Sequence, residues 1–131
     1  MVFPKWRSTG PPPSTSKQAG DAAEAQALQH LQRHGLRLLE RNYRTPGRGG
    51  GEIDLIMATP DGTLVFVEVR QRAGASHGGA AASVSLTKQR RIILAARHYL
   101  LRWREPPPCR FDVVGLEADG VQWLQGAFVT E

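Results

Sequence analysis

"GEIDLIMATPDGTLVFVEVRQR" (residues 51–72) has two apolar arms of strand length around a tip of Pro60, Asp61 and Gly62, and the arms carry Glu52, Asp54, Glu68 and Arg70. Side chains alternate faces along a strand, so Glu52 and Asp54 share one face, as do Glu68 and Arg70. Whether the two faces coincide depends on the tip. A two-residue loop at Pro60-Asp61 would set Asp54 against Val67 and send Glu68 through the other side. A three-residue loop sets Asp54 against Glu68 and Glu52 against Arg70. Proline suits the first central position of a type I turn, aspartate the next, and glycine the left-handed position that makes a bulge. The residues predict the three-residue loop.

In that register Asp54 and Glu68 are cross-strand neighbours with Cβ atoms roughly 5 Å apart. Flanked by Ile53, Leu55, Val67 and Val69, the two carboxylates repel each other and lose hydration. Either one carboxyl keeps its proton or a cation lies between them. An oxygen-only site with one or two carboxylates suits a hard divalent ion, Mg²⁺ or Mn²⁺. The competing reading is a set of separate ion pairs. A Glu52–Arg70 pair would account for two of the charges and leave Asp54 facing Glu68.

Upstream, a helix is predicted from near Gly20-Asp21 to His34, closed by Gly35. Ala27, Leu28 and Leu31 fall at i+3, i+4 and i+7 from Glu24, which places Glu24 on the packing stripe. A first-turn acid favouring the helix dipole would read the same way. A strand follows over 36–44, then the glycine-rich 45–51, read as a connection because no helix N-terminus follows to complete a phosphate cradle. Downstream, the small residues of 73–82 suit a mobile loop. A second helix is predicted over 85–103, with a stripe of Ile92, Ile93, Ala96, Tyr99, Leu100 and Trp103 that meets Lys88 and Gln89 one turn earlier. Strands at 110–117 and 121–125 close the chain. Residues 1–18 are Pro- and Ser-rich without periodicity and read as a disordered tail, leaving 19–131 as one domain.

Seventeen Lys and Arg oppose twelve Asp and Glu, a formal charge of +5. That balance favours polyanionic partners, nucleic acid first among them. A single cysteine, Cys109, excludes an intramolecular disulfide and a cysteine-based zinc site, and reads as a partly buried thiol. His30 and His34 have a zinc-compatible spacing without a third ligand. Asp112 is expected to pair with an arginine. With no long apolar run and no secretory h-region, the expectation is a cytoplasmic protein without membrane association.

An acid on the first helix, then "GEIDLI", "VFVEVRQR", a lysine opening the next helix and "RFDVV" together resemble the YraN-type family of small bacterial proteins. That family looks like a branch of the PD-(D/E)XK nucleases, near the archaeal Holliday-junction resolvases. The resemblance covers about residues 19–115. It implies an α/β fold with a restriction-endonuclease-like mixed sheet in the order α-β-β-β-α-β-β, and metal-dependent hydrolysis of DNA phosphodiesters. Carried over by position, Asp54 and Glu68 are metal-binding acids, the Val69 carbonyl is a third ligand, and Glu24 acts directly or through water. Arg70 and Lys88 would stabilise the transition state, with Arg44, Arg48, Arg72, Lys88, Gln89 and Arg91 as nucleic-acid contacts. Resolvases of this fold are dimers, which implies a homodimer. Arg70 stands where the superfamily has lysine. Arginine keeps the charge, but a guanidinium stays protonated in proteins and cannot act as a base.

Overall fold

The computed structural model describes residues 16–71 and 79–130. Helix α1 (Ser16–Arg33) begins ahead of the predicted start and takes residues 16–18 from the expected tail. An exposed i, i+4 pair between Lys17 and Asp21 at 2.8 Å supports those first turns. The helix ends as predicted. Gly35, at φ +91, adopts a conformation costly for other residues. Its N–H donates to the Gln32 carbonyl while the Leu36 N–H donates to that of Leu31.

Five strands form one sheet in the order β1 (Arg37–Arg44), β2 (Glu52–Ala58), β3 (Leu64–Gln71), β4 (Cys109–Glu117) and β5 (Gly120–Phe128). All neighbours are antiparallel except β3 and β4, and a parallel pair needs a crossover. That crossover holds a short helix, α2 (Gly79–Ala82), and a long one, α3 (Leu86–Leu100). Apart from the extra turn α2, the architecture is the mixed sheet flanked by helices, α-β-β-β-α-β-β, that the sequence predicts.

The loop expected over 73–82 needs correction for its last four residues. Ala80 is fully buried, and a Cβ at Gly115 on β4 would come within 2.5 Å of the Ala80 Cβ. Small residues stand there because α2 lies directly on the sheet. Residues 73–78 fall outside the described residues.

Two apolar cores fill the faces of the sheet. Ala23, Ala27 and Leu31 of α1 pack on Leu55, Met57, Val65 and Val67. On the other face Ile92, Ala95, Ala96 and Tyr99 of α3 pack on Ile56, Phe66, Phe111 and Val113. Cys109 is exposed, not partly buried as expected, because it opens β4 at the rim. Asp112 pairs as expected. Fully buried, it accepts from Arg110 Nε (3.0 Å), Trp123 Nε1 (2.9 Å) and the Gly126 N–H (3.0 Å). Satisfied on both oxygens, it ties β5 to β4. His30 and His34 are neighbours in space, ring centroids 4.5 Å apart, and both meet Trp123 edge-on.

Candidate active site

The hairpin tip closes as its residues predict. Thr59 N–H donates to the Thr63 carbonyl at 2.9 Å, the Gly62 N–H to the Thr59 carbonyl at 3.0 Å, and Gly62 sits at φ +92. The ladder then runs from Ala58↔Leu64 to Leu55↔Val67, the register that sets Asp54 opposite Glu68. Beyond Leu55 the backbone rungs stop. Asp54 Oδ2 instead accepts from the Val69 N–H at 2.8 Å, so a carboxylate occupies the place of a strand carbonyl.

Here the strands lose their regularity. Ile53 packs into the α3-side core and Leu55 into the α1-side core, so the alternation of β2 breaks across Asp54. On β1, Arg41↔Leu55 and Tyr43↔Ile53 are partners, which puts Asn42 across from Asp54. Asn42 has φ 53, the positive value of the non-glycine residues described. Such a conformation costs of order 1 kcal/mol or more and is tolerated best by glycine, asparagine and aspartate. Its side-chain amide is close enough to the Glu24 carboxylate to favour the charged form.

Three acids therefore approach one another from three elements. Glu68 is 3% exposed. Its carboxyl is pushed up to about 8, by desolvation first and by the Asp54 charge second, with Lys88 and Arg70 opposing. Glu24 is raised by the same two causes, desolvation and then Asp54, against the pull of Asn42 and Arg41. Glu68 Oε2 faces two cations, Arg70 Nη1 at 3.4 Å and Lys88 Nζ at 3.8 Å. The Oε1 atoms of Glu68 and Glu24 are buried without a hydrogen-bond partner. Arg41 Nη2 lies 3.8 Å from Glu24 Oε1, too far for a hydrogen bond.

Lys88 owes its place to the cap of α3. Ser85 Oγ accepts from the Lys88 N–H at 3.1 Å, which starts the helix so that Lys88 follows the phase of Ile92, Ala95 and Tyr99. A cation in a first turn sits at the wrong end of the helix dipole; here it faces a carboxyl group.

The Glu52–Arg70 pair of the competing reading does not form. With the ladder ended, Glu52 turns to Arg91, 3.8 Å away, and Arg70 is held by Ser83. Its Nε donates to Ser83 Oγ at 3.3 Å and its Nη2 to the Ser83 carbonyl at 3.1 Å. Of the other candidates, Gln89 donates to the Val84 carbonyl at 3.1 Å, serving the helix start. Arg91 Nε donates to the Gly50 carbonyl at 3.2 Å. Arg44, just ahead of the glycine-rich connection, and Arg48, in its middle, are exposed, and Arg72 lies outside the described residues.

Two positions escaped the sequence reading. Ser83 sits in an undistinguished small-residue run, and nothing local marks it. Asn42 did leave a signal, an asparagine inside a strand, where it is disfavoured. Asn42→Gly satisfies the positive φ without the amide, so stability should stay within about 1 kcal/mol. Any metal-dependent activity should fall roughly 10- to 100-fold as Glu24 loses its neighbouring amide. Melting curves and cleavage rates measured side by side check both halves; an unchanged rate removes Asn42 from the site.

The donor set is oxygen-only, and its two orphaned buried oxygens fit a hard cation. Among the described residues no three His, Cys, Asp or Glu side chains form a ready-made cage. An ion here would take Asp54 and Glu68 and fill its shell from the backbone, solvent or a phosphate, the habit of Mg²⁺.

The fold and site thus define an α/β protein with a mixed five-stranded sheet and a carboxylate pair, Glu68 buried and Asp54 half-buried, where two strands part. The chain belongs to Uncharacterised protein family UPF0102, whose model matches residues 23–116, and this is the YraN-type family that the motifs resembled. It is 82% identical over 114 residues to the UPF0102 protein of Albidiferax ferrireducens, covering 87% of this chain and 89% of that one. The UPF0102 protein of Paracidovorax citrulli is 68% identical, covering 88% and 85%. That of Polaromonas sp. is 58% identical and covers 98% of both chains. All three candidate acids, Arg70 and Lys88 fall inside the matched residues. Among the described residues no helix is long and apolar enough to cross a membrane.

Proposed function

We propose that this protein is a cytoplasmic, metal-dependent endonuclease that hydrolyses DNA phosphodiesters, with Mg²⁺ or Mn²⁺ held by Asp54, Glu68 and the Val69 carbonyl. One observation carries the reading: buried, partnerless oxygens of Glu68 and Glu24 near Asp54, with two cations beside the same Glu68. A structural ion-pair cluster would satisfy its own oxygens. The ion would lower the pKa of a bound water and offset charge on the phosphate. Arg70, fixed by Ser83, and Lys88, fixed by the α3 cap, offer N–H donors where a phosphate oxygen gains charge. Glu24, beside Asn42, would orient water. Exposed Arg44 and Arg48, together with Arg91, would contact the DNA backbone, giving an affinity that falls linearly in log–log form with salt. The test is incubation with four-way junction, flap and single-stranded DNA in Mg²⁺ or Mn²⁺. Cleavage abolished by chelator is expected, and intact DNA in every arm overturns the reading.

A second reading, a DNA-binding module with impaired catalysis, is favoured by the bonding of Arg70. Its guanidinium is committed to Ser83 and Glu68, and arginine cannot take a proton from water. Under this reading Arg70→Lys should raise cleavage on the order of 10-fold or more, since general-base help contributes about 10²–10⁴ where it operates. A wild-type rate that Arg70→Lys leaves unchanged rejects it.

A further inference from the structure

Three of the four large apolar side chains exposed among the described residues gather in one place. Leu86 (64% exposed), Leu94 (46%) and Val129 (73%) line a groove between α3 and the chain after β5, floored by Ile93. It continues past Arg97 to Leu100 and Phe128 at the other end of the helix. Arg90 and Arg97 stand along it, and no Asp or Glu lines either part among the described residues. Single exposed leucines need no explanation, but a contiguous patch marks a binding surface.

Helix α3 has two working faces. Lys88, Ile92, Ala95 and Tyr99 form the stripe turned to the sheet. Leu86, Arg90, Leu94 and Arg97 recur at the same period on the opposite side. An occupant of the groove therefore leaves the carboxylate site open.

Charge decides among occupants. A second copy carries +5 itself, and an arginine-lined seam would meet a basic chain. Residues 1–15 hold Lys5 and Arg7 and no acid, so they are mismatched in the same way. A nucleic acid would satisfy the arginines, but bases bind single-strand platforms by stacking on exposed aromatic faces. The groove's aromatics are spent: Phe111 is buried, and its ring stacks on Phe128 at 5.0 Å. What remains is aliphatic surface flanked by guanidinium groups.

We propose that this groove docks a segment of a partner protein that carries carboxylates beside bulky aliphatic side chains. The arginines would hold the carboxylates, with geometry suited to paired oxygens, while Leu94 and Ile93 cover the apolar side chains. The inference does not depend on the proposed nuclease activity.

Fluorescence anisotropy tests it with the full chain and a labelled twelve-residue peptide of alternating Asp-Asp and Leu-Leu pairs. A dissociation constant on the order of 10 µM is expected. Arg97→Glu should weaken it at least about 10-fold and Leu94→Ser about 5-fold, both with unchanged melting temperatures since the side chains are exposed. Replacing the leucines of the peptide with serine, or its aspartates with lysine, should abolish binding. No binding, or equal binding to both variants or to the serine peptide, overturns the proposal. So does a twelve-nucleotide oligo-dT that binds in an Arg97- and Leu94-dependent way, or a dimer in light scattering that Leu94→Ser dissociates.

Discussion

Glu68→Gln is expected to act in opposite directions on activity and stability. It should cut metal-dependent DNA cleavage by about 10³-fold or more, because it removes an anionic ligand from the proposed centre. It should also raise the melting temperature at pH 8.5. The second effect follows from the buried carboxyl. In the folded protein it titrates near 8, pushed up by desolvation and then by Asp54, while in the unfolded chain it titrates near the ordinary 4.5. Below about pH 4.5 both states hold the proton and the group costs nothing. Between 4.5 and 8 the folded state keeps a proton that the unfolded state has lost, so stability falls as pH rises. Above 8 the full cost is present, of order 3–5 kcal/mol. Glutamine has the same shape and stays neutral at every pH, so it escapes that cost.

Subtracting the variant's stability from the wild type's across pH 4 to 9 isolates this group. The difference should be small at the acid end and open in favour of glutamine toward pH 8.5. A divalent ion would reverse the picture for the wild type alone. Saturation with Mn²⁺ at ten times the dissociation constant is worth about 1.4 kcal/mol, and the gain should vanish in Glu68→Gln. A flat difference would mean that Glu68 is solvated and not buried against Asp54. An equal response to Mn²⁺ in both proteins would place the ion elsewhere.

The tip of the hairpin shows what a sequence can carry on its own. Pro60, Asp61 and Gly62 each have local conformational preferences that agree, so three residues fixed the register of two strands and brought Asp54 opposite Glu68. The helix stripes were readable for the same reason, since periodicity is local. Relations between side chains brought together by the fold were not readable. Glu52 and Arg70 stand opposite in the register, yet the backbone ladder stops first, and each finds a partner on the crossover, Arg91 and Ser83. The positive φ of Asn42 falls between Arg41 and Tyr43, which keep their partners on β2, and no local pattern announces it. Small residues were the most ambiguous. Ala80 and Gly115 look like flexible-loop and strand-filler residues, whereas each is small because the other is close.

Gly51 belongs to that class and should be the least replaceable glycine of the connection. Read from sequence, "TPGRGGG" is a flexible link. In the fold, the link closes on itself: Thr45 N–H donates to the Gly51 carbonyl at 3.0 Å and the Gly51 N–H to Thr45 Oγ1 at 2.7 Å. Gly51 is then pressed against α3. A Cβ there would lie 1.9 Å from the Arg91 carbonyl oxygen and 2.9 Å from the Ala95 N. Both are backbone atoms in the middle of a helix, so no rotamer change relieves the clash, and α3 must lift from the start of β2. Gly51→Ala is expected to cost about 3–5 kcal/mol, the upper end for single substitutions, and to lower the melting temperature by roughly 10–20 °C. Because α3 also carries Lys88, the variant should lose whatever Lys88 contributes at Glu68 even where it remains folded. Gly49→Ala is the control: its Cβ meets nothing within 4 Å, although φ +67 still strains it, so the loss should be about 1–2 kcal/mol. Equal losses in the two variants would show that backbone conformation, and not the seating of α3 on β2, sets the need for glycine at position 51.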